Sequence, residues 1–511
     1  MLIDARSLPS GHRHTSQICI IGAGAAGITI ARRLAARGLD VLLLESGGFA
    51  PDARTQTLYE GPAQGTVLSS PSDYLAVSRL RYVGGTTNHW GGMCRPLDAI
   101  DFEKRPWVPE SGWPIAERDV AAYYDEAAQV LQLRPFDLEA ERQPGNVPSI
   151  FPPSSAFEAR HFHYSPPTRF REVYGDDLRR SPRITLVTGA NVTEIVLQPD
   201  GGSVSELKLS TLDGRTSTAS ARHYVLACGA IENARLLLAS NGVQQHGIGN
   251  AHDLVGRYFA DHPHLGLVGA FTLHAEPWRS NAAAWQKLAR AFDGDDERRT
   301  LVLWPSPAAQ ERLGMLNAAF SVNAHQRGRT RIERRIFGAL DAVRALADGR
   351  EPSPEENPSL PAGGRLYVRT EMAPNPENRV TLSDERDALG NRRAALTWYF
   401  GDAERRTVDG MLRLLATELG RLGLGRAATH LEVDHDWPRT TAGSHHMGTT
   451  RMSSTPSTGV VDTNCRVHGV ANLYVAGSSV FPTPGYVNPT FTIVSLALRL
   501  ADQLGGAAGG N

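Results

Sequence analysis

Three short stretches of this 511-residue chain hold residues whose types and spacing could do chemistry. Residues 17–48 read QICIIGAGAAGITIARRLAARGLDVLLLESGG and set Gly22, Gly24 and Gly27 as G-x-G-x-x-G directly after an apolar run. That spacing serves a pyrophosphate. The first glycine makes a tight turn, the second lets the backbone approach the phosphates, and the third lets the following helix pack on the strand, its N-terminus supplying positive potential. Glu45 lies 18 residues past Gly27, near the ~20 expected of an acid that bonds a ribose diol. A carboxylate there disfavours a 2′-phosphate. The turn therefore reads as a dinucleotide site, with FAD and NAD both open. The second stretch, Arg81 to Met93, brackets Thr86, Thr87, Asn88, His89 and Trp90 between Gly84-Gly85 and Gly91-Gly92. It suits close backbone contact with a flat ligand. The third holds adjacent imidazoles, His445 and His446, followed by Asn488-Pro489-Thr490. Two histidines are half of a metal site, and no third ligand stands at a recognised spacing, so no metal is expected. Pro489 suits the first turn of an apolar helix over 492–504, which makes Asn488 its cap.

The elements that must position these residues are legible around them. Residues 18–21 and Val41–Leu44 read as strands buried on both faces, and 25–37 as the helix between them, closed by Gly38. A second strand running into a small-residue turn, 223–233, supplies what a flavin domain needs to complete its sheet. A third, 472–479, ends at Gly477 and Ser478. The pattern is α/β. With 41% hydrophobic and 21% charged residues, the chain is long enough for two or three packed domains and is not mostly disordered. A net charge of −1 provides no global field for a polyanion, so nucleic-acid binding is not expected. Cys19, Cys94, Cys228 and Cys465 are scattered with no CxxC pair and read as buried free thiols. Neither a leader-type apolar segment nor a membrane span is expected; the nearest run, 491–500, is short and carries Arg499. The reading is a cytoplasmic protein. Residues 329–350 read as an amphipathic surface helix.

These blocks together resemble the glucose–methanol–choline (GMC) flavoprotein oxidoreductases, in the branch of pyranose oxidases, glycoside oxidases and sugar dehydrogenases. The matching runs are GAGAAG with LLLESGG, VGGTTNHWGG, SGWPI, CGAIENARLLLAS, VGRYFADHP, APNPENRVTLS and HHMGTTRM…NLYVAGSS…NPT, in family order along nearly the whole chain. The resemblance implies a doubly wound, Rossmann-like FAD domain built from 16–100, 181–262 and 432–511. It implies a substrate domain, from 101–180 and 263–431, with an antiparallel sheet and helices. It implies FAD, held by Gly22, Gly24, Ala25, Ala26, Gly27, Glu45, Ser46, Gly84, Gly85, Thr86, Asn88, His89, Trp90, Gly91, Val192, Ala227, Gly477, Ser478, Asn488, Pro489 and Thr490. It makes His445 the base that takes a hydroxyl proton while hydride passes to flavin N5, and makes Asn488, 43 residues on, the group that hydrogen-bonds the same oxygen and orients the carbon toward the flavin. The N-H-W run sets His89 where pyranose oxidases carry a flavin-linking histidine. Gly91 replaces their threonine, and the non-covalent arrangement is favoured. The substrate implied is a secondary hydroxyl of a sugar or glycoside, with O2, a quinone or a redox protein as acceptor and a homo-oligomer as an open option. The alternatives are a non-sugar alcohol or a non-redox, cyanohydrin lyase-like use of the fold.

Overall fold

Residues 18–21 are almost wholly excluded from solvent, as is Val41–Leu44. The computed structural model describes residues 1–65, 73–143, 145–276, 278, 282–324, 362–429 and 440–509. In it the first run is the end of a longer strand, His12–Ile21. Its polar first half was not marked by apolar residues because it is only partly buried. The second run is the strand Val41–Leu44, and the helix between them is Ala25–Ala36.

These strands lie in an eight-stranded sheet. Its order is Leu2–Asp4, Ile184–Thr188, Val41–Leu44, His12–Ile21, Thr216–Leu226, Val204–Ser210 and Asn191–Leu197, with Leu473–Val475 beside the last residues of Thr216–Leu226. The first five and Leu473–Val475 pair in parallel; the remaining two close the edge antiparallel. The register matters for the site. Leu226 is opposite both Ile21 and Val475, so three strands end side by side. Each then turns through small residues into a helical segment: Ala25–Ala36, Ala230–Ala239, and the short turn Ser478–Val480 ahead of Thr490–Gly509. A crevice beyond the carboxyl ends of parallel strands is where such sheets take their ligands.

The second eight-stranded sheet is antiparallel throughout. Its order is Gly425–Thr429, Pro263–Leu273, Gly363–Thr370, Ala318–Ala324, Arg299–Pro305, Phe157–Tyr164 and Met93–Cys94, with Thr440–Ala442 on the start of Pro263–Leu273. A third sheet of three strands, Arg379–Arg386, Arg392–Trp398 and Ala63–Gly65, packs its hairpin on helix Ala230–Ala239. The strand Leu2–Asp4 joins the parallel sheet ahead of residue 16. Met93–Cys94 and Thr440–Ala442 lie within the spans 16–100 and 432–511 yet pair into the antiparallel sheet. The helix read over 329–350 lies outside the described residues. Among the described residues no helix is long and apolar enough to cross a membrane.

Candidate active site

A cavity of about 500 Å³ runs from the glycine turn to His445. At its first end the turn is forced. Gly22 has φ +102°, and a Cβ on Gly27 would stand 1.9 Å from the Gly22 carbonyl oxygen. Only glycine allows the helix this close to the strand. Gly85 belongs to a different loop, and a Cβ on it would come within 3.2 Å of Gly24 Cα. The VGGTTNHWGG loop thus closes directly over the turn, tied by the Gly84 N–H donating to the Ala23 carbonyl at 2.7 Å. Glu45 is buried at the end of its strand. Its Oε2 accepts the Ala23 N–H and its Oε1 the Gly47 N–H, each at 2.9 Å, and burial raises its pKa.

Beside Glu45 sit groups that spacing did not flag. Arg79 and Arg81 stack on the Tyr59 ring, 3.9 and 4.7 Å from its centroid. They share Glu232 with Arg235, at 3.7, 3.2 and 2.7 Å. Three guanidiniums on one carboxylate leave positive charge at this wall even with Glu45 counted. Arg79 Nη1 is buried with no hydrogen-bond partner. A glycine cradle, a helix N-terminus and an excess of buried cation together fit the pyrophosphate and ribose of FAD. Arg81 Nε also donates to Ser46 Oγ at 2.7 Å.

At the far end the two stretches that are 43 residues apart in the chain meet. Asn488 Nδ2 lies 3.0 Å from His445 Nε2. Asn488 is not the helix cap: the helix begins at Thr490 and its first intrahelical bond runs from the Ile493 N–H to the Pro489 carbonyl at 2.8 Å, which puts Pro489 at the cap position. The Asn488 side chain is instead held from behind, its Oδ1 accepting from Arg369 Nη1 at 2.7 Å. On the other side of the ring, His445 Nδ1 lies 3.0 Å from His262 Nδ1, and His262 Nε2 lies 2.8 Å from the Gly485 carbonyl.

The protons in this chain follow from its two ends. A carbonyl can only accept, so His262 carries its proton on Nε2 and accepts at Nδ1. His445 must then donate from Nδ1, which leaves Nε2 as a bare acceptor. From the opposite end, a guanidinium can only donate, so Asn488 presents oxygen to Arg369 and NH2 to His445. Both routes give the same tautomer. Burial, the imidazoles of His262 and His264 and the Arg369 charge push the His445 pKa well below 6.5, so the ring is neutral near pH 7. Burial and Arg369 likewise bring His262 down to about 3.

The backbone at His445 is clamped by Asp261. Its Oδ1 accepts the N–H groups of His445 and His262 at 2.8 and 2.6 Å. Its Oδ2 accepts the Ser444 N–H at 3.0 Å and the Tyr74 hydroxyl at 2.8 Å. Ser444 needs the clamp, since it holds φ +57° without being glycine. The Tyr74 proton is committed to Asp261, so the phenol accepts from His446 Nε2 at 2.9 Å. His446 thereby has its Nε2 protonated and tied to the scaffold, which separates it from its neighbour.

Of the residues named from the sequence, Gly22, Gly24, Ala25, Ala26, Glu45, Ser46, Gly85 and Thr86 line the cavity. So do His89, Trp90, Gly91, Val192, Ala227, Gly477, Ser478, His445, Asn488, Pro489 and Thr490. Gly27, Gly84 and Asn88 stand behind the wall. Asn88 Nδ2 donates to the Val83 and Gly85 carbonyls at 2.9 and 3.0 Å and so shapes the loop. Sequence reasoning assigned nothing to Tyr74, Asp261, His262, His264 or Arg369. The run FADHPHL did carry a sign of the middle three, since it gathers an acid and two imidazoles, His262 and His264, at the entry to the strand Pro263–Leu273. Tyr74 and Arg369 carried none. Among the described residues no group of three or more His, Cys, Asp or Glu could hold a metal ion.

Comparison with known proteins bears on the same two ends. A family model described as "FAD dependent oxidoreductase" matches residues 17–248, and one described as "GMC oxidoreductase" matches 374–497. The chain is 26% identical to the fructose dehydrogenase large subunit of Gluconobacter japonicus, covering 96% of this chain and 98% of that one. It is 28% identical to paromamine 6'-oxidase of Streptomyces fradiae, covering 96% and 91%. Among solved structures, formate oxidase of Aspergillus oryzae RIB40 shares the fold, with a TM-score of 0.53 at 16% identity over 98% of this chain and 99% of that one.

Proposed function

We propose that this chain, whose two ends match the FAD dependent oxidoreductase and GMC oxidoreductase models, is an FAD-dependent GMC-type enzyme that oxidises a hydroxyl of a sugar or glycoside to a carbonyl, with His445 as the base. The observation that carries the mechanism is the His445 Nε2–Asn488 Nδ2 pair at 3.0 Å, with its tautomer fixed from both ends. A substrate hydroxyl entering between the His445 ring edge and the Asn488 amide donates to His445 Nε2 and accepts from Asn488 Nδ2, replacing the bond they now make to each other. Neutral His445 takes the hydroxyl proton, and the Asn488 amide holds the oxygen as negative charge builds on it. Gly22, Gly24, Glu45, Arg79 and Arg81 would hold the pyrophosphate and ribose of FAD, and Gly85, Thr86 and Gly91 its ring end. Bound FAD supplies the acceptor for the hydride that leaves the carbinol carbon. The pair is oriented by Arg369 of the antiparallel sheet and by Asp261 and His262 just ahead of its strand Pro263–Leu273, so oxygen and carbon are set before the proton moves.

The substrate class is supported by the sugar and aminoglycoside named for the two relatives above. Free, mostly buried thiols suit the reducing cytoplasm. The test is anaerobic mixing of the purified yellow protein with a panel of sugars, glycosides and simple alcohols. Bleaching of the flavin by members of the first two groups, with carbonyl products, is the expected result. Bleaching by simple alcohols alone, or by none of the panel, overturns the reading.

A further inference from the structure

Arg369 lies on the strand Gly363–Thr370 of the antiparallel sheet, directly opposite His264 of the neighbouring strand. Its Nη1 donates to Asn488 Oδ1 at 2.7 Å. Both terminal nitrogens lie 3.5 Å from the sulfur of Met93, a cavity-lining residue, and Nε is buried with no partner. Its guanidinium is 5.5 Å from the Phe162 centroid. No carboxylate pairs with it among the described residues, and burial lowers its pKa. Elsewhere in the core the buried arginines are matched to acids: Arg105 to Glu371 at 2.6 Å, Arg95 to Asp98 at 3.1 Å. An arginine left without a counter-charge here costs stability, so its place needs a reason in the site.

We propose that Arg369 is a positioning residue for the catalytic pair: its guanidinium holds the Asn488 amide with Nδ2 turned toward His445, and its unneutralised charge opposes a second proton on that imidazole. The proposal rests on the reading of His445 as base. An amide has two nearly isosteric orientations. If Asn488 flipped, it would present oxygen to His445 Nε2, two acceptors would face each other, and the substrate oxygen would lose its donor. Arg369 makes the flipped state place NH2 against a guanidinium. The charge acts alongside others around the ring. His262, just before the strand Pro263–Leu273, and His264 within it face His445 with ring centroids 5.1 and 5.8 Å away, and His446 adjoins it in the chain. Asp261 bonds its backbone. Of these neighbours, Arg369 alone carries a permanent positive charge.

The test compares R369M and R369K with the wild type, and with H445A, by anaerobic stopped-flow flavin reduction between acid and neutral pH. R369M is expected to reduce flavin at least tenfold more slowly at neutral pH. Its acid-side inflection should move up by about one unit, the scale of a neighbouring charge on a buried ring. R369K should return the inflection toward the wild-type position while recovering the rate only in part, because an ammonium cannot fix the amide as a planar donor does. An unmoved inflection in R369M, whether the rate is unchanged or uniformly lowered, overturns the proposal. If R369M does not retain FAD, R369Q takes its place in the same comparison. A wild-type rate in H445A would instead remove the underlying reading, so the two failures are told apart.

Discussion

At the scale of single residues, the proposed base is made by its neighbours more than by its own identity. His445 and His446 are adjacent and chemically the same, and the sequence could rank them only through the resemblance. The structure separates them by what each nitrogen touches: His446 Nε2 is spent on Tyr74, while His445 Nε2 faces Asn488. Asp261 is the hinge of that difference. An asparagine there keeps one carbonyl oxygen for four donors and turns an NH2 toward N–H groups. Each charge-assisted bond lost costs about 1.5–3 kcal/mol. D261N is therefore expected to lower the melting temperature and slow flavin reduction at full FAD content, measured by thermal denaturation and anaerobic mixing. Wild-type kinetics in a D261N protein would show that the clamp does not position the base. Beyond the hint in FADHPHL this was not readable in the chain, since Tyr74, Asp261, Arg369 and His445 are brought together only by tertiary contacts between distant segments.

At the scale of elements, the glycine turn was legible because its constraint is local. Strand, turn and helix follow one another, and each glycine answers a clash that a Cβ would make. G27V places that atom 1.9 Å from the Gly22 carbonyl oxygen, with backbone on both sides. Overpacking of this kind costs about 1–3 kcal/mol where side chains can yield, and here they cannot. G27V is expected to retain no FAD and to unfold at lower temperature; a yellow, wild-type-stable G27V would contradict the packing account. The end of the chain was harder. Asn488-Pro489-Thr490 has the composition of a helix start, and local rules made Asn488 a cap. A side chain has one set of hydrogen-bonding groups, and tertiary partners took both: Arg369 on the oxygen and His445 on the nitrogen. The long strand His12–Ile21 was underestimated for a related reason. Its exposed half pairs along Thr216–Leu226 and shows no apolar signature.

At the scale of the whole molecule, the site lies where a parallel sheet presents three strand ends to the face of an antiparallel one. The cofactor end is built by the parallel sheet and is electropositive. Its carboxylate Glu232 is buried, which raises its pKa, but Arg235, Arg81 and Arg79 outweigh that and hold it far below the ordinary carboxylate value. A depressed folded-state pKa contributes stability above the unfolded value of 4.5 and loses it as pH falls toward the folded one. E232Q should then cost about 3–5 kcal/mol near neutrality, as for other buried networks broken at one member. The cost should shrink in acid below pH 4.5, as followed by denaturant unfolding across pH; a pH-independent cost would contradict the sign. The catalytic end joins His262, His264 and Arg369 of the antiparallel sheet and the segment before it to His445 and Asn488 beside the parallel one. The most direct test of this account is anaerobic stopped-flow reduction of H445A by a sugar or glycoside that bleaches the wild type. The prediction is unchanged FAD content with flavin reduction slower by about 10²–10⁴. Reduction at the wild-type rate would show that His445 takes no proton from the substrate.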